Sequence, residues 1–116
     1  SRGLGDVYKR QAEAFKRNSV YIQTAQTTIL PTVAANTQVV IIGLLASNKH
    51  TSDHEITVEI NDGSNTYSYI TNAPIPVSSS LSLLENKIAL MTGDSLLAKA
   101  DANNVIDMTV SFLEMT

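Results

Sequence analysis

The chain has 116 residues, enough for one domain around one core, and its hydrophobic fraction of 43% suits a folded chain rather than a disordered one. It has no cysteine, which excludes disulfide scaffolds, zinc–thiolate centres and thiol nucleophiles together. The net charge of −3 conceals a split: residues 1–17 carry five basic side chains against two acidic ones, while residues 18–116 carry three lysines, no arginine and nine acids. Phosphate recognition leans on Arg and Lys, so no nucleic-acid partner is expected for this body, and its acidity suits a basic protein surface better.

Residues 1–11 differ in composition from everything after them. The string resembles the translated library-adapter leader found at the start of reading frames from environmental DNA, and it is set aside as a non-native segment. The division expected is an N-terminal extension over 1–18 and a folded domain over 19–116. Good helix formers at 11–17 predict a short helix in the extension. From Ser19 the chain turns to β patterning. Val20 and Ile22 alternate with Tyr21 and Gln23, and residues 27–30 form a second run that stops at Pro31. Residues 39–46 are apolar on both faces, which predicts a strand covered on both sides, the second cover being another subunit. Among them Val39, Ile41 and Leu44 are interface candidates.

Residues 47–53 read as a polar loop. Residues 55–61 alternate cleanly, with Ile56, Val58 and Ile60 inward, and Asp62-Gly63 is a strong hairpin signal leading back into 66–71. Pro74 and Pro76 predict an extended connection. Short strands at 80–84, 87–91 and 95–100 follow, separated by turns at 85–86 and 92–94 and by the loop 101–104. The chain ends on its strongest β signal: Ile106, Met108, Val110 and Phe112 share one face, while Asp107, Thr109 and Ser111 share the other. Turn signals recur roughly every 8–12 residues, as in a sandwich or barrel. No apolar run reaches the roughly 18 residues of a membrane-spanning helix, so no membrane partner is expected.

Candidate chemistry is sparse. His50 and His54, with Asp53 and Glu55, are the one cluster of metal-ligating residue types. A structural zinc wants four ligands and the chain has no third histidine, so a solvated loop is the better reading and no metal or cofactor is expected. Residues 61–65 lack the spaced carboxylates and closing glutamate of a calcium loop. Ser78, Ser79 and Ser80 have no Gly-x-Ser-x-Gly elbow around them, and both histidines of the chain sit in a single loop. Phosphate-cradling glycine motifs are absent. Tyr67 and Tyr69, two apart on a strand, offer a stacking platform for a sugar or an anchor in a protein interface.

Four segments carry a resemblance to short virion structural proteins of tailed marine bacteriophages. They are residues 27–31 followed by 36–44; residues 55–60, continuing into the hairpin; residues 72–77, with Pro74-Ile75-Pro76, leading to 80–84, 87–90 and 93–96; and the ending 110–115, with Ser111-Phe112-Leu113-Glu114. The family has no catalytic residues to carry over. The resemblance implies a non-enzymatic component of a particle: capsid decoration, neck, or tail- or fibre-associated. It implies a homo-oligomer that meets other virion proteins, located in the virion and, during assembly, in the host cytoplasm. The fold expected is a single antiparallel β-sandwich of about eight strands, jelly-roll or Ig-like, with Met115 and its neighbours reaching an adjacent subunit. The alternative is a carbohydrate- or receptor-binding module on the same fold, with a surface glycan at the Tyr67 and Tyr69 face or the 47–54 loop; a small β-scaffold enzyme is the less favoured reading.

Overall fold

The computed structural model describes residues 13–84 and 86–116. The described chain is all β: β1 (Glu13–Ile22), β2 (Thr27–Leu30), β3 (Gln38–Asn48), β4 (His54–Asn61), β5 (Thr66–Ile75), β6 (Ser80–Ser82), β7 (Ile88–Leu90), β8 (Ser95–Ala100) and β9 (Ile106–Met115). Two antiparallel sheets form. One has the order β1-β9-β3-β6, with β7 also on β3; the other has β2-β8-β4-β5. Both β6 and β7 lie along β3, at Leu45–Ser47 and Val39–Ile41 respectively, so they act as one interrupted strand. Counted that way there are eight strands, paired first with last, second with seventh, third with sixth and fourth with fifth. Such nesting is an antiparallel ribbon rolled onto itself, the jelly roll, and it rules out the Ig-like order, in which consecutive strands 1 and 2 share a sheet.

The terminal strand is the axis of the first sheet. It pairs along its whole length with β1 on one side and with β3 on the other. Its alternation holds as expected: Ile106, Met108 and Val110 are fully buried and Phe112 nearly so, while Asp107, Thr109 and Ser111 lie on the outer face. The core is filled from both sheets, by Ile22, Ile41, Leu44 and Ala46 on one side and Ile29, Ile56, Val58, Leu96 and Ala98 on the other.

Three local expectations change. Residues 13–17 are strand, not helix: Glu13 pairs with Met115 and the ladder continues unbroken to Ile22–Ile106, so tertiary pairing overrides local helix propensity. The expected extension boundary at 18/19 falls inside this strand; residues 1–12 lie outside the described part. The second change is in β3, where a bulge at Ile42 sits between the pairs Ile41–Phe112 and Gly43–Ser111. A bulge slips the period-two phase by one residue. That is why 39–46 reads as apolar on both faces: Val39, Ile41, Leu44 and Ala46 all point inward, while Ile42 and Leu45 are exposed.

The third change is in β5, which runs on through Pro74 to Ile75 rather than ending at 71. It does so with two irregularities against β4. At one, Asn72 takes φ 47° and its amide donates to Thr57 Oγ1 at 3.0 Å. Proline is tolerated because β5 is a sheet edge. The hairpin turn forms at Asp62-Gly63, with Gly63 at φ 98°. The Asp62 carboxylate accepts the amides of Asn65 (2.7 Å) and Ser64 (2.9 Å). These two bonds, the Asn65 one above all, hold its carboxyl below the usual aspartate range.

Candidate functional site

The two outer faces of the sandwich differ in chemistry. On the second sheet the outward residues beside Leu97 are polar and engage each other: Glu59 meets Lys99 at 3.8 Å and accepts from Gln26 Nε2 at 2.9 Å, and Asn61 Nδ2 donates to Thr66 at 2.9 Å. Such a face is satisfied by water and by itself.

The first sheet is different, and its register shows how. One end of its outer face is polar. Tyr21, Asp107 and Ser47 stand side by side across β1, β9 and β3. Lys49 reaches over this row, pairing with Asp107 at 2.9 Å and lying 4.5 Å from the Tyr21 ring centroid, a cation–π distance. Next to it the Ser19 and Thr109 hydroxyls are 3.2 Å apart. At the other end the row is Phe15, Leu113, Val40 and Ala89, one residue from each of β1, β9, β3 and β7. Phe15 is 77% exposed, and the bulged Ile42 stands beside this row at 39%. An apolar stripe crossing an entire sheet on its solvent side is the kind of feature that marks an interaction surface.

The residues singled out from sequence fall in four places. Val39, Ile41 and Leu44 are buried in the core and are not available to a partner; the exposed members of the same strand are Ile42 and Leu45. Met115 is half-buried at the end of β9, opposite Glu13 and Gln38. Tyr67 and Tyr69 do not share a platform. The register passes from Val58–Ile70 to Glu59–Ser68, which leaves Tyr69 as the extra residue of a bulge. Tyr69 packs against the core beside Leu83 and Ile88, whereas Tyr67 is 55% exposed near the hairpin tip.

His50 and His54 do meet. His50 Nδ1 and His54 Nε2 are 2.9 Å apart, and His54 Nδ1 is 2.8 Å from Asp101 Oδ1. The chain His50–His54–Asp101 ties the 49–53 loop to the loop that follows β8. It offers a metal two imidazoles with a carboxylate behind one of them; among the described residues no group of three or more ligands is gathered. The arrangement is that of a polar latch.

Sequence reasoning missed Asn48. It is 3% exposed at the end of β3, and its side chain makes three bonds: Nδ2 donates to the carbonyls of Ser52 and Ile75, both at 2.9 Å, and Oδ1 accepts the His50 amide at 2.8 Å. Nothing in the residues around it distinguishes it from the other loop asparagines. A cleft of about 320 Å³ lies at the open end of the sandwich, between Leu30, Val33, Val39 and Phe112. The acid lining it is Glu114, which is paired with Lys16, so no two carboxylates converge there. No helix of the described chain is long and apolar enough to cross a membrane.

No known family's sequence model matches this chain, and no curated protein sequence matches it. Solved structures do. A subunit of Bacillus endospore appendages, which form disulfide-linked pili, superposes with a TM-score of 0.55 at 12% identity over 92% of this chain and 90% of that one. A chain of the T13 IBDV viral particle gives 0.56 at 10% identity over 89% of this chain and 31% of that one, so this chain corresponds to about a third of it. A pentameric capsid protein isolated from metagenomic phage sequences gives 0.44 at 20% identity over 84% of this chain and 59% of that one. At 10% and 12% identity, the first two likenesses establish a shared two-sheet β fold.

Proposed function

We propose that this chain is a non-enzymatic structural subunit of a virion that works by protein–protein assembly, as a homo-oligomer in contact with other virion proteins. Capsid decoration, neck and tail- or fibre-associated positions all fit. The observation that carries the reading is the apolar row Phe15–Leu113–Val40–Ala89 across the outer face of a jelly roll. A contiguous apolar row on an outer face marks a surface for a protein partner. The fold likeness to a viral-particle chain and the sequence resemblance to phage virion proteins support the same reading. The acidic body suits a protein partner over nucleic acid. Sedimentation of the full chain over a concentration series, with co-sedimentation on purified tailed-phage particles, tests it. Self-association or particle binding is expected; a monodisperse monomer at high micromolar concentration that also fails to bind particles overturns it.

A second reading is favoured by the near-complete overlap with the appendage subunit: a subunit of an extracellular fibre. Having no cysteine, this chain would build such a fibre without disulfide links. Electron microscopy separates the two, since head-to-tail contacts that do not close give open filaments and closed symmetry gives discrete particles.

A further inference from the structure

Of the four edges of the two sheets, three are blunted. The β2 edge has four residues and ends at Pro31. The β5 edge is bulged and carries Pro74. The β6 and β7 edge is broken into two three-residue pieces. Natural sheets protect their edges by these means. The β1 edge lacks these breaks and carries only the charges of Glu13, Lys16 and Arg17 against pairing. It runs ten residues in regular register with β9, without proline, glycine or bulge, and among the described residues no strand pairs with its other side.

We propose that the free edge of β1 pairs antiparallel with β1 of a second copy, with the two-fold axis at Phe15. A two-fold normal to the sheet keeps the same face up in both copies, so opposed residues must have the same parity and the axis must pass through a residue. Placing it at Lys16 or Arg17 sets like charges against each other. Placing it at Phe15 sets Glu13 of each copy opposite Arg17 of the other, two opposite-charge pairs on the outer face, and opposes the two Phe15 rings. The same placement joins the row Phe15–Leu113–Val40–Ala89 to its own copy, so the apolar band continues across both sheets. An axis at Asn18 allows a longer ladder, but it gains no ion pair and runs the apolar row into the polar row of Tyr21 and Asp107. The inference deepens the assembly reading and rests on it for the premise that copies of the chain meet.

Charge exchange in the full chain tests the register. Glu13→Arg and Arg17→Glu should each weaken self-association roughly tenfold, since each replaces two cross-strand attractions by two repulsions. The double exchange should restore the wild-type constant, and mixing the two single variants should give a heterodimer. Phe15→Cys should form a disulfide-linked dimer on mild oxidation, where Asn18→Cys should not. Association unchanged by either single exchange, or cross-linking through residue 18 and not 15, overturns this pairing while leaving the assembly reading intact. A wild-type chain that stays monomeric yet binds particles overturns it equally; a monomer that binds nothing overturns both.

Discussion

Asn48 is the position at which one side chain holds the most backbone, and removing it should cost far more than its place beside a surface loop suggests. Its amide satisfies two carbonyls and one N–H, and one of the carbonyls, that of Ile75, belongs to a residue with no solvent exposure. A hydrogen bond contributes about 1 kcal/mol net, and a buried group left without a partner costs about 1–3 kcal/mol. Loop carbonyls can turn to water after truncation, so Asn48→Ala should destabilise by about 2–4 kcal/mol. At about 4–5 °C per kcal/mol for a domain near 100 residues, the melting temperature should fall by roughly 10–20 °C. Asn48→Asp keeps the shape but sets a carboxylate against two carbonyl oxygens. Its folded-state pKa should therefore be raised, so its deficit should be largest at neutral pH and shrink on acidification, when the protonated acid can donate once. Calorimetric and denaturant melts at pH 7 and pH 5 measure both effects. An Asn48→Ala variant within about 0.5 kcal/mol of wild type, or an Asn48→Asp variant no better at pH 5 than at pH 7, would refute the reasoning.

Two further outcomes follow from particular strands. Deleting residues 110–116 removes the inward Val110 and Phe112 and more than half of the ladders that β9 makes with β1 and β3. At about 1.5–3 kcal/mol per buried side chain, before any ladder bond, the loss rivals a total stability of about 5–15 kcal/mol. The truncated chain should show no cooperative melt by circular dichroism, and a soluble, cooperatively melting product would place the core elsewhere. At the hairpin tip, the lowered Asp62 carboxyl means that its turn-stabilising bonds are complete above the ordinary aspartate range and are lost as pH falls through the lower folded value. The Asn65 and Ser64 amide resonances should titrate together with a midpoint below that of an unperturbed aspartate. A midpoint at or above it, or a titration that persists in Asp62→Asn, would show that these bonds do not set it.

Period-two alternation made the terminal strand legible, since β9 alternates buried and open residue by residue from Ile106 to Phe112; in β4 the inward Ile56 and Val58 carried the signal, and in β1 only Val20 and Ile22 did. The jelly-roll order was not legible. Its pairs join residues about a hundred positions apart, Glu13 with Met115 being the widest, and no local pattern encodes a partner. That same distant pairing explains the helix expected over 11–17: the residues there favour a helix weakly, and ten rungs against β9 outweigh the preference. Bulges were the other blind spot. One extra residue at Ile42 and one at Tyr69 each turned a correct strand into a wrong assignment of faces, because alternation carries no mark where its phase slips. Asn48 was read as loop for a related reason, its partners at Ser52 and Ile75 being brought together only by the fold.

The bulge at Ile42 also decides what the surplus of apolar residues in β3 is for. Eight consecutive positions with little polarity suggested more hydrophobic surface than a one-sided core needs, and a partner covering Val39, Ile41 and Leu44. Those three are consumed by the core itself. Had the strand stayed in phase from Val39, Leu44 would have turned outward and Ile42 with it, and Gly43 would have spent an inward position on no side chain. Slipping the phase at Ile42 places Leu44 and Ala46 inward and leaves Val40, Ile42 and Leu45 as the outward remainder. The surplus is real, but it belongs to those residues. Its weight falls where Val40 lines up with Leu113 and Phe15, toward the unbroken edge of β1. An interface built there would use a face and an edge at once, and would be disrupted by Ile42→Thr or Phe15→Ser without disturbing a core that neither side chain enters.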